Sequence, residues 1–193
     1  MKKVILLSWL LIVFVQLSFA GQLPKVLMTT SLGKIVLEID TVRAPVTAKN
    51  FLMHVKNGTY KNAVFYRVVR PDNQPNNAIK IEVIQGGVYD DKLIDQIPTI
   101  AHETTEMTGI KHKDGTFSMA RYTPGTACSE FFICVGDQPE LDFGGKRNPD
   151  GQGFAAFGQV VKGMKVVRKI QQQKDKAQYL LAPVKIESIG ILK

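Results

Sequence analysis

Cysteine, histidine and tryptophan are scarce in this chain: two, three and one in 193 residues. Two cysteines cannot build a disulfide framework, and Cys128 and Cys134 lack the spacing of a zinc site. If the segment between them is a strand, its six residues span about 20 Å, too far for a bridge, so two free thiols are expected. His54, His102 and His112 are dispersed. His102-Glu103 matches the start of a zinc-protease helix, but the second histidine of that motif is missing. There is no phosphate loop and no nucleophile beside a base, so the expectation is chemistry without metal or cofactor. The formal charge of +8 is scattered, with no block of one sign. The most basic stretch, Lys162 to Lys174, reads as a solvated helix face. Nucleic acid is therefore not an expected partner.

What is present begins with a leader pattern. Lys2 and Lys3 precede an apolar run from Val4 to Val15 that only Ser8 interrupts. Ser18-Phe19-Ala20 then offers small residues where a signal peptidase reads. The run is shorter than the ~20 residues a spanning helix needs. Residues 1–20 are expected to be a cleaved signal peptide, with no stable membrane anchor afterwards; the alternative is an uncleaved anchor. Residues 21–193 are then one domain, periplasmic or secreted. Discounting Lys2 and Lys3 lowers the charge of +8 to +6.

Lys25 to Thr30 and Lys34 to Ile39 read as a hairpin around Ser31-Leu32-Gly33. Ala44-Pro45 opens a helical pattern of Ala44, Ala48, Phe51, Leu52 and Val55 that Gly58 ends. His54 lies beside that stripe and reads as a surface or boundary residue. Strand patterns follow at Val64 to Val69, Lys80 to Gly87, Thr116 to Ala120, Glu130 to Val135, Phe154 to Val160 and Val184 to Leu192. Pro71 to Ala78 and Glu140 to Gln152 read as loops. Gly163 to Gln172 is a second helix, with Met164, Val167 and Ile170 on one side. Residues 89–114 are polar and carry no clear period. Many short strands with one early and one late helix indicate a mainly β domain built on a closed or nearly closed antiparallel sheet.

Three strand patterns carry unusual side chains: Phe65-Tyr66-Arg67-Val68-Val69, Gln85-Gly86-Gly87, and Ser129-Glu130-Phe131-Phe132-Ile133-Cys134. Together they offer a permanent cation, an amide and a large ring, a set suited to holding an apolar ring beside hydrogen-bond donors. With Ala44-Pro45-Val46-Thr47-Ala48-Lys49-Asn50-Phe51, Phe117-Ser118-Met119-Ala120-Arg121 and Phe157-Gly158-Gln159-Val160-Val161-Lys162-Gly163-Met164, in this order, the chain resembles a cyclophilin. These are peptidyl-prolyl cis-trans isomerases, and the leader with the Met-Ala-Arg form is similar to their exported bacterial branch. The resemblance implies a closed eight-stranded antiparallel β-barrel capped by two α-helices, with its groove on the outer surface. It implies Arg67 as the catalytic residue and Gln85 on the substrate backbone. Phe132 would floor the proline pocket, walled by Val83, Leu141 and Phe154. Ala120 and Arg121 would line the groove, the Arg121 backbone binding the residue before proline. Expected partners are proline-containing polypeptides and unfolded exported proteins, met by a monomer.

Some positions depart from the family pattern. Tyr66 stands where His is frequent and reads as packing. Glu130 replaces the usual Gln and is expected at the groove, either paired with Arg67 or Arg121 or facing water. Glu140 replaces an aromatic, Glu82 a Phe and Val83 a Met, which predicts a more acidic, less aromatic groove. The Val69 to Ile81 loop is about ten residues longer than usual, at little cost in closure entropy. The alternative function is a cyclophilin-like binding module with little catalysis.

Overall fold

The computed structural model describes residues 22–192, so the signal-peptide reading of residues 1–20 lies outside the described residues. Strands β1 (Lys25–Thr30) and β2 (Gly33–Ile39) form the expected hairpin. Val26, Met28, Ile35, Leu37 and Ile39 all turn inward and are fully buried, as the two-residue period requires. Helix α1 (Pro45–Asn57) starts on Pro45 and ends on Gly58, whose φ of 71° suits a residue without Cβ. Its first turn has no cap of its own. The carboxylate of Glu103, far along the chain, accepts from the backbone N–H groups of Val46 and Thr47 at 3.1 and 2.8 Å. A negative charge there opposes the positive end of the helix dipole.

The remaining elements are β3 (Val64–Val69), β4 (Val83–Gly87), the single-turn helices α2 (Asp91–Ile94) and α3 (Thr105–Thr108), β5 (Thr116–Met119), β6 (Phe131–Cys134), β7 (Ala155–Lys162), α4 (Met164–Gln171), β8 (Asp175–Lys176) and β9 (Tyr179–Ile191). The strand order is β1-β2-β7-β5-β6-β4-β3-β9, and β9 pairs back with β1. Eight antiparallel strands thus close a barrel, and the two-residue β8 adds to β9 outside the ring. The expected two helices, α1 and α4, are joined by the two single-turn ones in the segment without a period. Among the described residues no helix is long and apolar enough to cross a membrane.

The barrel is filled. Phe51, Tyr60, Phe65, Phe117, Phe131 and Phe157 meet inside, most pairs edge-on or tilted, with centroids between 4.8 and 6.2 Å apart. Burying each contributes roughly 1.5–3 kcal/mol. Among the described residues these rings fill the barrel interior, which places a binding groove on the outer surface. His54 is not at the surface. It is buried between Thr59, which its Nδ1 meets at 3.2 Å, and the Tyr60 ring, because the turn after α1 folds over it. Cys128 and Cys134 are both buried free thiols.

Candidate functional site

One irregularity turns Arg67 outward. Phe65 pairs with Gly86, but Arg67 pairs with Gln85, so Tyr66 is an extra residue in the β3–β4 ladder. The same slip occurs against β9, where Phe65 faces Val184 and Arg67 faces Tyr179. A bulge of this kind reverses the alternation beyond it. Phe65 and Val68 thus both enter the barrel core, while Val69 joins a second apolar cluster outside it.

Register then aligns four side chains across the outer face. Arg67 sits opposite Gln85, Gln85 opposite Phe132, and Phe132 opposite Ser118. Adjacent strands are about 4.8 Å apart, so cation, amide and ring are near neighbours. Arg67 Nη1 donates to Gln85 Oε1 at 2.8 Å. Its Nε and Nη2 both donate to Gln178 Oε1, at 3.0 and 2.5 Å. Both partners are neutral amides, so the charge is oriented without being cancelled. Burial pulls the guanidinium pKa down, yet arginine remains a cation.

Phe132 floors a small cluster with Val69, Ile81, Val83, Cys134 and Leu141, and Ala120 and Phe154 pack against it. Phe154 meets Phe132 edge-on at 5.3 Å. Beneath, the His112 ring stacks on Phe132 at 5.8 Å. His112 is held by Asp142, which its Nδ1 meets at 2.8 Å, and by Ser118 Oγ, 3.0 Å from Nε2. Its own pKa is lowered, chiefly by burial.

Arg67, Gln85, Phe132, Val83, Ala120, Leu141 and Phe154 are therefore brought together. The Arg121 side chain does not line the groove. Its fork grips the Asp150 carboxylate at 2.8 and 2.9 Å and the Gly153 carbonyl at 2.9 Å, and its cation lies over the Phe154 ring. It anchors the loop that presents Phe154, while among the described residues no hydrogen bond engages the Arg121 backbone N–H.

The expected pairing of Glu130 is corrected. Glu130 pairs with neither Arg67 nor Arg121; it turns inward and accepts from Val88 N–H at 2.7 Å. Glu82 accepts from the Gln171 side chain of α4 at 3.1 Å, and Glu140 from the Lys146 N–H at 2.7 Å. Each carboxylate is drawn aside by local donors that the identity of the residue does not reveal. Tyr66 does pack, its ring stacked on Tyr89 at 4.1 Å, but its hydroxyl also accepts from Gln85 Nε2 at 2.7 Å.

Gln178 is a contributor that the sequence does not announce. Gln178 belongs to the tight turn between β8 and β9, where Ala177 and Gln178 hold φ of 50° and 75°. The long loop after β3 is tied to that turn: Arg70 pairs with Asp175, and Asn73 Nδ2 donates to Asp175 Oδ1 at 3.1 Å. Gln178 N–H donates to Asp175 as well, at 3.0 Å, which locks the turn. The loop also supplies Ile81 to the apolar cluster. Its Gln74 is buried and holds the Ile81 carbonyl at 2.6 Å.

Residues 25–191 match the family described as cyclophilin type peptidyl-prolyl cis-trans isomerase/CLD. Peptidyl-prolyl cis-trans isomerase A of Dickeya dadantii is 37% identical over 148 residues, 76% of this chain and 70% of that protein. Peptidyl-prolyl cis-trans isomerase B of Escherichia coli is 35% identical over 143 residues, 74% of this chain and 80% of that one. A Cryptosporidium parvum cyclophilin-type isomerase, crystallised in the presence of the dipeptide Ala-Pro, has the same fold, with a TM-score of 0.69 at 23% identity. That likeness covers 88% of this chain and 99% of the other.

Proposed function

The chain belongs to the cyclophilin-type peptidyl-prolyl cis-trans isomerases, and we propose that it acts on X-Pro bonds of exported polypeptides through Arg67. Rotating an amide breaks its resonance, a barrier of ~18–20 kcal/mol. X-Pro bonds therefore flip in tens to hundreds of seconds unaided. In the twisted state the prolyl nitrogen becomes pyramidal and regains a lone pair. A guanidinium aimed at that lone pair binds the twisted state better than either planar one, which is what lowers a barrier. In this reading Phe132, Val83, Leu141 and Phe154 hold the proline ring, and Ala120 lies at the groove edge. Gln85 and the Arg121 backbone N–H meet the substrate chain. The reaction needs no proton transfer and no cofactor.

The observation that carries the proposal is a cation held by two neutral amides, one register row from an aromatic-floored cleft. The binding-module alternative rests on Glu82, Glu130, Glu140 and the long Val69 to Ile81 loop; none of the three carboxylates pairs with Arg67, each accepting instead from Gln171, Val88 or Lys146. Exchange rates on a short X-Pro peptide, read by NMR, test the role of Arg67. Arg67→Ala is expected to lower kcat/KM by about 10²–10³, the scale of losing one preorganised donor, with the melting temperature unchanged. Equal rates for the two proteins would end the proposal.

The leader at residues 1–20 supports export to the periplasm or beyond, with unfolded exported chains as clients and the enzyme as a monomer. Protein recovered from the periplasm should begin at Gly21. Recovery from the cytoplasm alone, with Met1 intact, would overturn that reading.

A further inference from the structure

We propose that Glu130 and Tyr66 are positioning residues that orient the Gln85 amide, and through it the guanidinium of Arg67. The inference rests on the catalytic reading of Arg67.

Hydrogen-bond polarity carries it. An ionised carboxylate only accepts. Glu130 Oε1 accepts from Val88 N–H at 2.7 Å and from Tyr89 N–H at 3.4 Å. Oε2 is buried and takes no well-aligned hydrogen bond. Tyr66 stacks on the ring of Tyr89, whose own N–H reaches Glu130, so the Tyr66 ring is brought up to the same carboxylate. The Tyr66 hydroxyl already accepts from Gln85 Nε2, so its own proton must go elsewhere, and the open carboxylate oxygen is the acceptor at hand. With Nε2 committed to Tyr66, the Gln85 oxygen is left facing Arg67 Nη1. A flipped amide would set an NH₂ against a guanidinium, donor against donor. The chain Glu130–Tyr66–Gln85–Arg67 thus has one consistent direction, from a buried anion to the cation beside the proline pocket.

The surroundings are shaped around that anion. Gly87 holds a φ of 151° that side chains rarely adopt, and the Glu130 carboxylate occupies the space a Cβ would take. Tyr89 holds a left-handed φ of 52°, rare for a bulky side chain, while it points its N–H at Glu130 and its ring at Tyr66. The relay joins two of the departures from the family pattern, Tyr for His at 66 and Glu for Gln at 130. A glutamine at 130 would present one acceptor and one donor, and its NH₂ would oppose either the backbone N–H groups or the Tyr66 hydroxyl.

Two titratable side chains face Glu130: Tyr66 from β3, and Tyr60 from the turn after α1, with Cys128 close to Tyr60. Burial pushes both tyrosines up, and they stay neutral. The Tyr60 hydroxyl is taken by the Ser129 carbonyl at 3.0 Å. Burial also raises the pKa of Glu130 itself. As pH falls through that raised value, Glu130 becomes a donor and the relay loses its direction.

The test is kcat and KM on one X-Pro peptide between pH 5 and 8, for the wild type, Tyr66→Phe, Glu130→Gln and the double variant, with melting curves alongside. Tyr66→Phe should lower kcat about tenfold, the scale of one hydrogen bond to a charged network, with KM unchanged. The double variant should be no slower than the slower single one, because the two residues act in series. The wild-type kcat should drop on the acid side above the ordinary carboxylate range, and both single variants should lack that drop. If Glu130→Gln fails to fold, the rate and pH profile of Tyr66→Phe decide alone. A wild-type kcat in Tyr66→Phe, losses that multiply in the double variant, or an acid drop that persists in the singles would overturn the relay. An Arg67→Ala protein at full rate would sink the catalytic reading beneath it. A dead Arg67→Ala beside a fully active Tyr66→Phe would sink the relay only.

Discussion

Phe131 and Phe132 are neighbours on β6, yet they point into regions built by different rules. Phe131 enters the barrel, where it touches Phe51, Tyr60, Phe65 and Phe117 and is fully buried. That region is apolar, rigid and fixed by shape alone. Phe132 faces outward, onto a cluster whose walls are apolar, with Arg67, Gln85 and Gln178 hydrogen-bonded at its side and His112 and Asp142 paired beneath it. The interior sets stability through packing. The outer face sets direction through hydrogen bonds, and it contains the charges and the strained backbone.

Truncating the two rings should separate these roles most widely. Phe131→Ala should cost about 3–5 kcal/mol of stability, because closed neighbours cannot fill the hole. Phe132→Ala should cost less, since its cavity opens toward solvent, but should raise KM on an X-Pro peptide by about 10–100-fold through lost apolar contact. Urea titration beside peptide exchange measures both. Equal stability losses would mean that the pocket floor is as much core as the barrel is.

A smaller effect should run in the opposite sense. The Ala177-Gln178 turn has positive φ at both residues without glycine or asparagine, a geometry that costs about 1 kcal/mol or more per residue. Its reward is the clamp on Arg67. Gln178→Gly should hold or raise the melting temperature while lowering kcat about tenfold. A glycine variant as active as the wild type would show that Gln85 alone orients the cation.

The interior was the more legible of the two regions. Val26 and Met28, or Ile35, Leu37 and Ile39, announce a buried face by strict alternation, and Pro45 and Gly58 bracket α1 by backbone chemistry. Gln85 and Phe132 stood out beside Arg67 by residue type, but their roles, and Leu141 and Phe154 altogether, were legible only through the family pattern. The bulge at Tyr66 was not legible, because an inserted residue looks like any other strand position. Neither was the β8–β9 turn, whose sequence lacks the residues that positive φ prefers. The single-turn helices α2 and α3 do carry caps, Asp90 and Thr104, but four residues are too few to show a period. Glu130, Glu82 and Glu140 were misplaced because a residue type does not state which donors its rotamer will find.

The smallest difference between the regions concerns acid. The barrel's aromatic cluster meets a histidine only at its end, where His54 packs edge-on against Tyr60, whereas His112 lies directly under Phe132. Burial lowers the pKa of His112, and of His54 and His102, below the ordinary 6.5. Asp142 opposes this only in part: burial works against its charge, but its hydrogen bonds with His112 hold its own pKa down. A histidine with a depressed pKa binds a proton more readily in the unfolded chain. Its contribution is therefore complete above pH ~6.5 and is lost as pH falls through the folded value. The melting temperature should accordingly be flat from pH 8 to about 7 and decline from about 6.5 downward, before most carboxylates titrate. His112→Gln should flatten that decline, since an amide can still bridge Asp142 without charging. A decline of the same steepness in the variant would assign the acid response to His54 and His102, and so away from the pocket floor.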